Sequence, residues 1–278
     1  MMMDSNTPGD VTSYGVLKQT TAGNVIDKAV EEIANLGFSV IHSGLLADET
    51  RSLAAKFDFL QARYLETYGG TYLESIDEHH TLRLPLAFDR AFIDLAANKN
   101  VLAVVERLIV GKFILNQQNG ITNPAGKIYS QSAWHRDLPY QHFVSSRPLA
   151  INALYCVDEF TKDNGAPHVL PASHKQESFP SGEYSLKHSA QIEAGAGSFI
   201  MMDGMTFHRG GVNTTGANRR AINHVYTIPH IKQLIDIPAL LGEEELDTRV
   251  QELLGYRYRL PRSIDDFLKS RDRRRSIL

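Results

Sequence analysis

The sequence predicts a mainly β core with helices at both ends, and three observations carry that reading. Before Gly111 the apolar residues recur at helical spacing. From residue 111 to 230 they come in short runs bounded by Gly, Pro, Asn and Asp, the spacing of an all-β sandwich or barrel. From residue 231 the pattern returns to mixed helical character.

Residues 1–20, rich in Ser, Thr, Gly and Asp, are expected to be mobile. From Asn24 onward, Val25, Ile26, Ala29, Val30, Ile33 and Leu36 mark a helix that Gly37 stops. Phe38–Ile41 reads as a short strand, Asp48–Tyr68 as a second helix and Ala91–Val110 as a third. The strand-like runs that follow are Phe113–Gln118, Leu149–Val157, His168–Leu170, Gly197–Met202 and Ala221–Ile228. Beyond them Glu243–Leu254 is the clearest helical piece. No repeat or linker divides the chain. It therefore reads as one domain, 1–278, with a helical part at 21–110, a β core at 111–230 and a carboxy-terminal extension at 231–278.

A net charge of -3 and a pI near 6.4 give no electrostatic case for nucleic acid or a membrane surface as the main partner. The basic end, Arg271 and Arg273 to Arg275, reads as a solvated terminus. The single cysteine, Cys156, cannot form an internal disulfide, which suits a reducing cytoplasm. Its place in an apolar run suits an inert buried thiol. The first twelve residues carry Asp4 and Asp10 and no apolar stretch, unlike a secretory signal. The most apolar segment, Val101–Leu115, is too short and too charged to span a bilayer. A soluble cytoplasmic protein acting on a small molecule is expected, with self-association left open.

The chemistry concentrates in Trp134-His135-Arg136-Asp137, His208 and Arg219. Two imidazoles and a carboxylate are the set that holds Fe(II) on one face and leaves the other open to dioxygen. In a strand, residues i and i+2 share a face, so His135 and Asp137 can reach one ion. His208 follows a strand that ends in a turn, at a sheet rim. Of the pair Arg219 and Arg220, only one can face inward; Arg220 is the alternative if the strand phase differs. An arginine at that place offers a planar fork for a dicarboxylate. His168, His174, His224 and His230 read as structural, Tyr140 and His142 as loop residues. Trp134 reads as packing behind the first ligand and Asn213 as a turn former.

At this point the chain resembles the phytanoyl-CoA-hydroxylase-like Fe(II)/2-oxoglutarate dioxygenases, from about Gly37 to Pro229. The matches are Trp134 to Asp137, Asn164-Gly165-Ala166, Leu170 to His174, Asp203, His208, Asn213 and Arg219-Arg220-Ala221, with Leu36 to Ile41 at the start. The resemblance implies a double-stranded β-helix (a jelly roll of cupin-like type) with His135, Asp137 and His208 on iron. It implies Arg219 on the distal carboxylate of 2-oxoglutarate, dioxygen as the oxidant, and Gln118 as an amide that helps hold the co-substrate. Three positions depart from the family. Gly210 stands where a small hydroxyl residue is common, Leu154 where some members have tryptophan, and Ala172 where many have glycine. Asn152, on the strand face of Leu154, is the candidate substitute contact for the co-substrate.

The implied reaction is hydroxylation, or a related oxidation, with release of succinate and CO2. A carboxylate at Asp137 implies no halogenation. Two other readings stay open: a cupin-like isomerase or dioxygenase that does not use 2-oxoglutarate, and a catalytically inactive barrel that binds. The polar stretch 69–85, with Glu74, Asp77, Glu78, His79, His80 and Arg83, points to a small polar metabolite as substrate.

Overall fold

The computed structural model describes residues 21–275, apart from 128 and 244, with side chains described as far as Arg271. The expected mobility of residues 1–20 lies outside the described residues. In chain order the elements are α1 (Val25–Leu36), β1 (Phe38–His42), α2 (Ala47–Tyr68), α3 (Gly70–Ser75), β2 (Thr81–Arg83), α4 (Arg90–Ala96) and α5 (Lys99–Ile109). The β core follows with β3 (Ile114–Asn123), β4 (Ala150–Cys156), β5 (His168–Val169), α6 (Gly182–His188), β6 (Ala190–Gln191), β7 (Ser198–Asp203), β8 (His208–Arg209) and β9 (Arg219–Thr227). The chain ends in α7 (Ile237–Leu241), α8 (Thr248–Leu253) and α9 (Ile264–Arg275).

Local chemistry sets the boundaries. The Asn24 side chain caps α1 by accepting from the amides of Ile26 and Asp27, and Gly37 closes it at φ +89°. Only glycine fits there, because a Cβ would meet His174 Nδ1 at 2.7 Å and press on Thr206. The helix expected over Ala91–Val110 is two helices. Asn98 breaks it: its Oδ1 caps α5, while its Nδ2 donates to the Ser43 carbonyl at 2.9 Å. The helix expected over Glu243–Leu254 is confined to Thr248–Leu253, started by the Asp247 cap. The strand expected to end at Gln118 runs on to Asn123, because β9 pairs with its whole length.

Two antiparallel sheets form the centre, a larger one ordered β1-β7-β4-β9-β3-β2 and a smaller one ordered β6-β5-β8. The larger sheet has two different faces. Ile151, Tyr155, Phe199, Ile222 and Tyr226 point out against the amino-terminal helices, where Ile33, Phe57, Phe92 and Val105 complete the main core. The alternate residues, among them Cys156, Ile200, Met202 and Ala221, point in toward Val169, Phe160 and Ile192. Cys156 is fully buried there, and burial pushes its thiol pKa up to about 12, as an inert thiol requires. Among the described residues no helix is long and apolar enough to cross a membrane.

The outer face also carries a polar pair. Gln118 and His224 are cross-strand partners, both fully buried. Gln118 Oε1 accepts from the Leu86 amide at 2.9 Å, while its Nε2 donates to the Phe92 carbonyl at 2.8 Å and lies 2.9 Å from His224 Nε2. His224 Nδ1 lies 3.1 Å from the Ala153 carbonyl, which makes it the protonated nitrogen of a neutral ring. Gln118 therefore ties the helices to the sheet and is not placed to hold a co-substrate. A Gln118→Ala variant should lose roughly 1–3 kcal/mol of stability in urea denaturation, since it orphans buried partners.

Burial holds His224 neutral and lowers its pKa to about 4, from 6.5. Between those values the unfolded chain binds a proton that the folded chain refuses. Stability from this residue is thus complete above about pH 6.5 and falls as pH drops toward 4, by about 3 kcal/mol in all. Urea titrations of the apoprotein at pH 7, 5.5 and 4.5 should show this loss, and a His224→Gln variant should show a slope shallower by one proton. Equal slopes would refute it.

Candidate metal centre

The segment around His135 is not a regular strand. It is a single bridge onto β8, in which the His135 amide donates to the His208 carbonyl at 2.9 Å and the His208 amide returns a bond at 3.0 Å. The Asp137 amide donates to the Gly204 carbonyl at 3.1 Å, where the chain enters a bend. That pairing sets the two rings side by side, with centroids 4.3 Å apart. Ligand atoms of His135, Asp137 and His208 all lie within 4.8 Å of one another. Among the described residues this is the one such group of three.

The rest of the site holds those atoms in a metal-ready state. His135 Nδ1 lies 2.8 Å from the Ala133 carbonyl and His208 Nδ1 lies 3.0 Å from the Thr206 carbonyl. Each ring thus spends its Nδ1 proton on a carbonyl two residues earlier and presents a bare Nε2. Burial, with the neighbouring His208, lowers the His135 pKa and favours the neutral ring that a metal needs. Asp137 Oδ1 lies 3.6 Å from His208 Nε2, while Oδ2 accepts from Asn152 Nδ2. Asn152, expected as a co-substrate contact, donates to the Asp137 carboxylate within the same cleft. Its own Oδ1 is buried without a partner.

Arg136, between two of the three, points the other way. Its guanidinium sits 3.8 Å over the Phe207 ring and donates to the carbonyls of Met205, Gln141, Glu177, Ser173 and Gln176. One side chain thus stitches the segment to three loops. Trp134 packs on Phe179, with the Arg209 guanidinium 5.3 Å from its ring centroid.

The two adjacent arginines separate cleanly. Arg220 faces out and pairs with Asp158 and Asp58, which raises its pKa. Arg219 faces in, 4% exposed, with its guanidinium 3.9 Å over the Phe160 ring and Nε donating to the Asn164 carbonyl at 3.3 Å. Among the described residues no carboxylate pairs with it, and burial lowers its pKa. A buried cation without a counter-ion is costly unless an anion arrives. Its remaining partner is the Tyr129 hydroxyl, which accepts from the guanidinium. Tyr129 also accounts for Gly210: a Cβ there would stand 2.6 Å from the Tyr129 hydroxyl oxygen. A tyrosine distant in sequence occupies the space beside Gly210.

The three metal-type residues, Asn152, Arg219, Tyr129 and Asn223 line one cleft, and Gln118 does not. Sequence reasoning missed Tyr129, Arg136 and Asn223. The signal for Tyr129 was Gly210 itself, a glycine where a small hydroxyl residue was expected. Asn152→Ala should free the Asp137 carboxylate and weaken Fe(II) binding by about 10- to 100-fold in anaerobic equilibrium dialysis. Unchanged metal affinity would remove Asn152 from this role.

A family model for phytanoyl-CoA dioxygenase (PhyH) matches residues 35–221. The uncharacterized protein Rv1501 of Mycobacterium tuberculosis is 32% identical over 260 residues, covering 90% of this chain and 93% of that one. Dioxygenase af480 of Aspergillus fumigatus is 29% identical over 179 residues, 60% of this chain and 55% of its own. Among solved structures, EctD from S. alaskensis with 2-oxoglutarate and 5-hydroxyectoine superposes with a TM-score of 0.60 at 19% identity, over 79% of this chain and 80% of that one. At that identity the likeness establishes the fold, a double-stranded β-helix, and no more. With the family model running from the end of α1 into β9 and taking in His135, Asp137, His208 and Arg219, the chain belongs to the phytanoyl-CoA dioxygenase (PhyH) family.

Proposed function

We propose that this protein is a non-haem Fe(II)- and 2-oxoglutarate-dependent dioxygenase that oxidises a small molecule. The observation that carries the reading is the pairing of two features in one cleft. Three convergent ligand atoms suit a ferrous ion, and a buried arginine without a counter-ion suits a dicarboxylate. Family membership supports the same class, and relatives such as the iron/alpha-ketoglutarate-dependent dioxygenase penM of Penicillium thymicola carry it in their names. A metal-dependent barrel that does not use 2-oxoglutarate would leave Arg219 buried and unpaired, and an inactive barrel would leave all of these features without a role.

Bound among His135, Asp137 and His208, iron would supply dioxygen activation, driven by conversion of 2-oxoglutarate to succinate and CO2. The chain's own work is to orient and to exclude water. The Nδ1 contacts to the Ala133 and Thr206 carbonyls fix both rings in the orientation that presents Nε2. Asn152 sets the Asp137 carboxylate, whose presence suits hydroxylation-type chemistry and leaves no place for halide. Arg219 would grip the far carboxylate of the co-substrate with its planar fork. Tyr129 would add a hydroxyl donor to the same carboxylate, in place of the residue absent at position 210.

The test is oxygen uptake and succinate release by the Fe(II)-loaded protein with and without 2-oxoglutarate. Arg219→Lys should raise the 2-oxoglutarate Kd by roughly 10- to 100-fold, because a point charge cannot bind both oxygens. Tyr129→Phe should raise it by less, about 3- to 10-fold. A wild-type protein that consumes no oxygen in response to 2-oxoglutarate, or that binds it no better than Arg219→Lys, would end the proposal.

A further inference from the structure

A second cavity, of about 330 Å³, lies beside the metal cleft. That volume falls within the range of small-molecule sites, roughly 300–1,000 Å³. Its wall is built from Tyr64, Tyr68, Tyr72 and Ile76 on and after α2 and α3, with Leu234 and Ile235 opposite. All but Tyr64 are exposed large apolar side chains, and a cluster of such residues around one opening marks a binding surface. The charges in the wall cancel: Arg83 Nε donates to Glu78 Oε2 at 2.8 Å and the pair is closed by a second bond. The polar stretch 69–85 thus turns its apolar side chains toward the cavity.

The two spaces are lined by neighbouring residues on the inner face of the larger sheet. Asn119 of β3 lines the cavity, Asn223 of β9 lines the metal cleft, and the two are directly opposed across the strands. Residues so opposed have Cβ atoms roughly 4.5–5.5 Å apart. Arg219 and Asn223 share that inner face of β9 four residues apart, about 13 Å along the strand. The cleft therefore has its anion anchor at one end and the cavity at the other. Asn223, only 9% exposed, has a buried Oδ1 with no hydrogen-bond donor. A buried acceptor of this kind calls for a partner that the protein does not supply.

We infer that the tyrosine-lined cavity is the substrate chamber, that it takes an uncharged, ring-bearing apolar molecule, and that Asn223 accepts one hydroxyl or N–H of that molecule beside the metal. The inference rests on the iron and 2-oxoglutarate reading, and it replaces the small polar metabolite expected from the sequence. The rings supply a flat apolar surface, and the single unpaired amide supplies orientation.

The probe is 2-naphthol, a ring system with one hydroxyl donor, titrated into the full chain and followed by its fluorescence, with naphthalene as the comparison. The wild type should bind 2-naphthol saturably and roughly 3- to 10-fold more tightly than naphthalene. Asn223→Leu should abolish that preference. Tyr72→Asp and Ile76→Asp, on the exposed rim, should weaken both probes at least about tenfold, because a carboxylate cannot be buried against a ring. Their 2-oxoglutarate affinity should match wild type. Equal probe binding in wild type and rim variants would overturn the inference. So would sedimentation showing a wild-type dimer that Tyr72→Asp dissociates, which would make the patch a self-association face. The anaerobic Fe(II) protein with 2-oxoglutarate should show a visible charge-transfer band that 2-naphthol shifts. A band that forms but does not move while 2-naphthol binds would sink the chamber alone. A band that never forms would sink the iron reading and the chamber with it.

Discussion

The site depends on a two-way backbone bridge between His135 and His208. A pair of amide-to-carbonyl bonds joins an irregular loop segment to a two-residue strand and brings the two rings side by side. Because the bridge is antiparallel and short, it places both side chains on one side of the paired backbone. Each ring then repeats the same local device, an Nδ1 proton given to the carbonyl two residues back. Arg136 stabilises the bridge from behind by drawing three loops onto one guanidinium. Geometry of this precision comes from backbone bonds and buried donors, which cost little entropy once the surrounding core has formed.

The larger sheet serves as a partition. Its outer face is bonded to the helices by apolar side chains and by the Gln118 and His224 pair. Its inner face carries Arg219, Asn223 and Asn152. Alternation along a strand makes these roles exclusive, since a slip of one residue would exchange the faces. Arg219 and Arg220 show it most directly: one is buried without an acid, while its neighbour holds two. The same alternation places Arg219 and Asn223, whose Oδ1 is buried without a partner, on one line of the inner face.

Much of the fold was legible in advance. Asn24 and Gly37 bracket the first helix as expected, the strand-like runs are strands, and the helical periodicity before Gly111 is realised as helices. The misreadings have local causes. Asn98 can cap a helix or continue one, and only the Ser43 carbonyl across the core decides which. Gln118 has the type and offset of a ligand-binding amide, but the bulge between Leu115 and Gln117 helps set which face it takes, and its hydrogen bonds are consumed by Leu86, Phe92 and His224.

The sequence by itself determined the donor set: which imidazoles, which carboxylate, and an arginine pair at a spacing that suits a dicarboxylate. Those features are matters of residue type and order, and it was the resemblance to a family, on shared motifs and spacing, that singled them out. The tertiary structure alone decided the second set. Tyr129 reaches Arg219 across the space that Gly210 leaves, Asn152 donates to the Asp137 carboxylate, and Asn223 lines the same cleft. Each of those roles depends on which residue lies opposite on another strand. That neighbour is chosen by register and packing over long sequence separations, and no local pattern encodes it.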